Sequence, residues 1–404
     1  MKPIRQSPTD PSFVQDPYPF YDRARALGDI VLWEDYDLPV ATTYEAVNTI
    51  LRHRKMGREV PPEMRPPVPA HLAAFHAIED HSMLERDGED HRRLRTLVLR
   101  AFTSRSIQCM APEISQLADT CIGNFPDGPF DLLPALAQEL PVKVIARLLG
   151  VPDTMSAQLL SWSNAMVAMY QARRGPGIEA AANAAAADFA AFIREFVDLR
   201  RRRPASDLIT DLINAEEQGG RLSTDELIAT CILLLNAGHE ATVHTIGNSV
   251  RTILKTGVDC TALRPAFIAA TVEELLRFDP PLHLFSRYVY EPMELFGHRF
   301  KRGDRIGCLL ASANRDRKVW PDADVFDPTR PQVTNMSLGA GVHFCIGAPL
   351  ARLELQIVLP LLFARCPDLA LADEPAYANL YHFHGLQSLM VECTCIRPAA
   401  PSST

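Results

Sequence analysis

Apolar residues recur three and four positions apart through most of this chain, the period of a helix with one buried face. The longest such stretch, "STDELIATCILLLNAGHEATVHTIGNSVRTIL", runs from Ser223 to Leu254 without a proline. A serine or threonine at its start and acidic residues in its first turn predict the helix N-terminus there. Its apolar middle predicts a helix that crosses the core. The alanine-rich "AAANAAAADFAAF" keeps Asn183 and Asp188 and reads as helix, not as low complexity. Strand-like pieces are few. "IVLWEDYDLPVATT" lies near the start, and "RYVYEPMELFGHRFKRGDRIGCLL" lies later, with "KRGD" predicted as a hairpin turn between alternating runs. The pattern predicts a mainly α fold with a small β region.

The chain has 404 residues, of which 47% are hydrophobic, ample for a large core. The proline-rich Glu59–His71 is the best linker candidate, but the composition does not change across it, so it reads as a long loop and the chain as one domain, 1–404. The formal net charge of −8 disfavours nucleic-acid binding. Nine cysteines without a C-x-x-C pair suggest free thiols in a reducing compartment. The N-terminus lacks an apolar h-region, and no apolar run approaches the ~20 residues that span a bilayer. The expectation is a cytoplasmic protein without a membrane partner.

Four stretches carry chemistry. In "SLGAGVHFCIGAPLARLELQ", Cys345 stands among Gly339, Gly341 and Gly347, just before a helix that tolerates Pro349 in its first turn. The glycines let a large planar group approach the backbone. A helix N-terminus favours a thiolate, which suits a soft metal bond such as that to haem iron. In "EELLRF", Glu274 and Arg277 share a helix face, in isolation the pattern of a weak surface pair. In "DHRRLRTLVLRAFTSR", His91 and Arg95 share a face, and Arg92, Arg93, Arg100 and Arg105 add a basic cluster suited to an acidic partner.

The fourth stretch is "NAGHEATVH" within the long helix. His239 and His244 are five apart and point about 140° from each other, so they do not form a zinc site. Ala237 and Gly238 are small, and Glu240 is a carboxylate in an apolar stretch that needs an explanation.

Together and in this order, these pieces resemble the cytochrome P450 superfamily of haem-thiolate monooxygenases. "LGAGVHFCIG" is similar to its cysteine loop, "EELLR" to its E-x-x-R helix, "NAGHEAT" to its oxygen-activating helix and "DHRRLR" to its propionate-binding helix. "ANRDRKVWPDADVFDPTR" (Ala313–Arg330) is similar to the meander before the cysteine. The likeness extends from "DPYPFYDRAR" to "YHFHGLQSLMV".

The resemblance implies a P450 fold and haem b, with Cys345 as the iron ligand. It implies propionate contacts from His91, Arg95, Arg287 and His343. It implies haem-lining positions at Met83, Leu84, Ala237, Gly238, Ala241, Leu338, Gly339, Gly347 and Ala351. Arg330 of "FDPTR" would join Glu274 and Arg277, turning a surface pair into a buried network. Two departures stand out. Leu338 replaces the usual phenylalanine of the loop. The acid–threonine pair reads Glu240–Ala241, and Thr242 falls one place late, rotated by about 100°. Proton delivery then falls to Glu240 with ordered water, to Thr242, or to a substrate hydroxyl.

The implied reaction is insertion of one oxygen atom from O2 into a small or medium hydrophobic molecule by a monomeric enzyme. Ferredoxin and ferredoxin reductase would supply its electrons. Two other classes are weighed against it. A thiol hydrolase would need His343 as base for Cys345, from only two residues away. A haem sensor without turnover would not need Glu240.

Overall fold

The computed structural model describes residues 1–171, 174–217, 222–381 and 383–398. The chain forms two compact units. One contains Met1–Gly57, Ala111–Leu140 and Ala241–Thr404, the other Arg58–Met110 and Pro141–Glu240.

The first unit holds a six-stranded sheet. Its strands lie in the order Lys2–Ile4, Ile30–Trp33, Leu38–Ala41, Arg305–Leu309, Leu284–Val289 and Met56–Gly57. Ile30–Trp33 and Leu38–Ala41 pair antiparallel, in the stretch read as strand-like. The later stretch departs from expectation at its turn. "KRGD" is a turn, with the Asp304 amide donating to the Lys301 carbonyl at 3.1 Å, but it does not join paired strands. Arg305–Leu309 turns away to pair with Leu284–Val289, Arg287 opposite Ile306. The hairpin closes earlier, between Met293–Leu295 and His298–Phe300, where Phe296 and Gly297 take φ of 48° and 74°. Those two left-handed residues give the turn a twist that matches its strands. Val47, Ile50 and Leu51 of the helix Tyr44–Arg52 join Val289, Ile306 and Cys308 of this sheet in one buried cluster.

In the same unit the helix Ala348–Arg365 packs on Ala111–Gly123 and on Ile268–Phe278. Pro349 occupies its first turn, where a missing N–H costs nothing.

The second unit is helical. Pro176–Arg202 packs on Ser156–Val167, Ala73–Glu79 and Leu208–Glu217. Ala182, Ala185 and Ala186 are buried along it, and their small side chains allow close approach. The proline-rich loop contains only the short turns Pro62–Met64 and Ala70–Leu72.

The long helix runs unbroken over Thr224–Thr256. Ser223 caps it as the sequence suggested. Its hydroxyl accepts from the Glu226 amide at 3.1 Å, and Glu226 accepts from the Ser223 amide at 2.8 Å. This reciprocal pair satisfies two donors that the first turn would leave open. Among the described residues no helix is long and apolar enough to cross a membrane.

Candidate functional site

Cys345 sits in a loop that only glycine can build. Gly339 and Gly341 both take φ of 71°, a conformation costly for side chains with Cβ. A Cβ on Gly341 would lie 2.3 Å from the backbone oxygen of Leu51, so the loop also passes too close to the helix Tyr44–Arg52 to carry one. A Cβ on Gly339 would meet the Phe285 ring at 3.7 Å, and one on Gly347 would lie 3.9 Å from Cys345 Sγ. The Cys345 amide donates to the Leu338 carbonyl at 3.0 Å, which closes the loop. The single helical turn Gly341–His343 precedes the cysteine, and the helix Ala348–Arg365 starts three residues after it.

The cysteine is half-exposed, whereas Cys231, Cys308 and Cys366 are buried. Burial pushes those three thiols up to about 12, which keeps them protonated and inert. Of these four cysteines, the one with a glycine cradle and a helix N-terminus is also the one not packed away.

Around this loop the same unit places Leu338 half-buried and Gly339 buried, with His343, Gly347 and Ala351 half-buried. Arg287, on Leu284–Val289, is 2% exposed, and its Nη1 donates to the Ser286 carbonyl at 2.9 Å. Phe285, against Gly339, escaped the sequence reading because nothing in a six-residue strand marks which residue meets a loop over fifty positions later.

Glu274 and Arg277 form a buried network on the helix Ile268–Phe278. Arg277 Nε and Nη2 each lie 2.7 Å from a Glu274 oxygen. Arg277 Nη1 also donates to the Asn314 and Ala323 carbonyls at 2.9 Å. Arg330 reaches Glu274 at 3.3 Å, the third group that the sequence pattern needed.

In the helical unit, Met83 is buried and Leu84 half-buried, the Leu84 amide 3.3 Å from the Ser82 hydroxyl. The helix Gly88–Ala101 buries His91 and leaves Arg95 half-buried. The basic cluster of the sequence is not uniformly open. Arg93 is bound to Glu226 at 2.5 Å, so it supports the long helix's N-terminus and is not part of an open patch. Arg92, Arg100 and Arg105 are exposed.

Ala237 is exposed, and Gly238 is half-buried, its missing Cβ replaced by Ile145, which would stand 3.2 Å away. Glu240 and Ala241 are half-buried, and Thr242 is buried. The Ala241 carbonyl accepts from the Thr245 hydroxyl at 2.6 Å, so the hydroxyl one turn further along the helix is turned back onto the backbone.

These donor sets fit haem b. The glycine cradle leaves room for a planar ring beside a sulfur ligand. In the same unit as the cradle, the buried Arg287 guanidinium supplies hydrogen-bond donors suited to a carboxylate withdrawn from water.

Comparison with known proteins agrees. The family model "Cytochrome P450" matches residues 266–367. The chain is 35% identical to the cytochrome P450 monooxygenase PikC of Streptomyces venezuelae, over 94% of this chain and 91% of that one. It is 33% identical to the biotin biosynthesis cytochrome P450 of Bacillus subtilis, over 96% and 99%. Among solved structures, P450BioI in complex with hexadec-9Z-enoic acid ligated acyl carrier protein superposes with a TM-score of 0.87 at 32% identity, covering 95% of this chain and 100% of that one. The chain belongs to the cytochrome P450 family: it has the P450 fold, binds haem b and is an oxidoreductase of the monooxygenase class.

Proposed function

We propose that this P450 inserts one atom of O2 into a small or medium-sized hydrophobic organic molecule, the second atom leaving as water. The observation that carries this reading is the cradle of Cys345, formed by two left-handed glycines and a helix start. Haem held by a thiolate would supply electron-rich iron suited to O2 chemistry. Cys345 is its ligand, and Arg287, His343, His91 and Arg95 hold its propionates. Met83, Leu84, Ala237, Gly238, Ala241, Leu338, Gly339, Gly347 and Ala351 line it. The whole chain, 1–404, acts as one monomeric haem domain in the cytoplasm. A ferredoxin, itself reduced by ferredoxin reductase, delivers two electrons and docks on exposed arginines such as Arg92 and Arg100.

Protons reach the reaction through Glu240. Ala241 has no hydroxyl, and Thr245 is committed to the Ala241 carbonyl. Thr242 lies about 100° around the helix from Ala241. Glu240 with ordered water therefore ranks above Thr242 as the proton route.

The test is turnover under isotopic O2 with ferredoxin, its reductase and a substrate chosen by its spin-state shift. One labelled atom in the product and one in water are expected. A protein that binds carbon monoxide at thiolate-ligated haem but labels no product from any such ligand is a sensor, and the proposal falls.

A further inference from the structure

His239 is a residue that the haem reading leaves without a task. It lies mid-helix and is 1% exposed, so its ring must find partners inside the protein. Nδ1 is 3.0 Å from the Leu235 carbonyl, one turn earlier, and 3.5 Å from the Ser163 hydroxyl. Nε2 is 3.5 Å from Asn164 Oδ1 and 3.4 Å from Glu240 Oε2. A carbonyl oxygen only accepts, so Nδ1 carries a hydrogen. Nε2 also faces two oxygens, an amide and a carboxyl. With a bare lone pair there, it would oppose both.

One proton resolves the conflict. Carried on Nε2, it is donated toward Asn164 and Glu240. Carried on Glu240, it is donated to Nε2, and rotation of the Asn164 amide by half a turn removes its oxygen from the ring. Both arrangements place it between the same two atoms. The pair is also graded in its access to water, since the His239 side chain is 1% exposed and that of Glu240 is 22% exposed. Glu240 reaches the wetter side while the ring is fixed from behind by Leu235 and by the helix Ser156–Val167, which carries Ser163 and Asn164.

We infer that His239 is a positioning residue for Glu240, holding its carboxyl in place and sharing one proton with it. The inference rests on the monooxygenase reading, in which Glu240 feeds protons to the reaction. It assigns the supply of that proton to a buried histidine, in a chain whose next residue, Ala241, has no hydroxyl. The proton passes from the shared site through Glu240 to ordered water and is replaced from solvent by the same path, so no charge accumulates.

The test uses the holoenzyme labelled with 15N-histidine, in its reduced carbon monoxide complex, where the thiolate band confirms the haem in the same sample. The His239 resonance, identified by its loss in His239→Gln, is expected to show a hydrogen on Nδ1 and an Nε2 signal that moves in Glu240→Gln. An Nε2 signal indifferent to Glu240→Gln would overturn the inference. Peroxide released per reducing equivalent consumed is the second readout. It should rise several-fold in His239→Leu and return part of the way in His239→Gln, whose amide still donates to the carboxyl. Wild-type coupling in a haem-loaded His239→Leu also overturns the inference. If the leucine variant does not fold, the labelled wild type decides. If the wild type lacks the thiolate band, the underlying haem-thiolate reading has failed instead.

Discussion

Arg277 meets both oxygens of Glu274 at 2.7 Å one helical turn away, and neither side chain is more than 5% exposed. A pair this deep offers little net stability over an apolar pair, but losing one partner strands a buried charge and costs about 3–5 kcal/mol. Glu274→Ala should therefore fail to retain haem or to fold at growth temperature. The ratio of haem absorbance to protein in the purified variant checks this. A stable, fully loaded variant would show that the network is dispensable.

The glycine cradle predicts a contrast between two glycines of like conformation. Gly341 and Gly297 have φ of 71° and 74°, but a Cβ on Gly341 would strike the Leu51 carbonyl whereas one on Gly297 meets nothing within 4 Å. Gly297→Ala should cost only the left-handed penalty, roughly 1–2 kcal/mol. Gly341→Ala should cost more and loosen the Cys345 loop, read as a lower melting temperature and faster haem loss. Equal effects would contradict the close approach.

How much of this was legible in the sequence varies with the range of the interaction. Ser223 and Glu226 announce their capping pair because both partners lie within one turn. Glu274 and Arg277 are visible as a pair, but their burial depends on carbonyls of Asn314 and Ala323 that no local pattern names. "KRGD" has the residues of a hairpin turn, and only the pairing of Arg305–Leu309 with a more distant strand denies it that role. Arg93 looks like a member of a charge run until its partner, 133 residues away, is seen. Ser163 and Asn164 carry no local mark of a role, because the ring of His239 that they meet lies more than seventy residues later in the chain.

The same long-range logic hides a pH effect. His384 is buried, with its ring stacked on Tyr377 at 3.7 Å between centroids. Burial, with smaller contributions from Arg251 and His244, lowers its pKa from 6.5 to about 3. Asp279 lies 3.6 Å away but is already held by the Tyr18 and Tyr377 hydroxyls, so it does little to offset burial. Between those two values the unfolded chain binds a proton that the folded one refuses, so stability rises with pH and is lost as pH falls below 6.5. Each pH unit costs about 1.4 kcal/mol. Denaturant unfolding between about pH 4.5 and 6.5 should show a shallower pH slope in His384→Gln. An unchanged slope would mean that His384 takes up its proton while folded.

Electron delivery should depend on Arg92 and Arg100, which are exposed, and not be tested through Arg93, whose loss would disturb Glu226. Arg92→Glu with Arg100→Glu should slow reduction by ferredoxin about tenfold and flatten the salt dependence of the wild type. Reduction by dithionite should be unchanged. Equal slowing by both reductants would contradict docking at these arginines.

The whole site turns on Cys345 as the iron ligand. The absorption spectrum of the reduced carbon monoxide complex decides this, because a thiolate ligand donates electron density to the iron and moves the Soret band away from where other ligands put it. Wild-type protein should show that band, and Cys345→Ser should lose it while the far-UV circular dichroism stays helical. A Cys345→Ser protein that keeps the wild-type band would place the iron ligand on another residue.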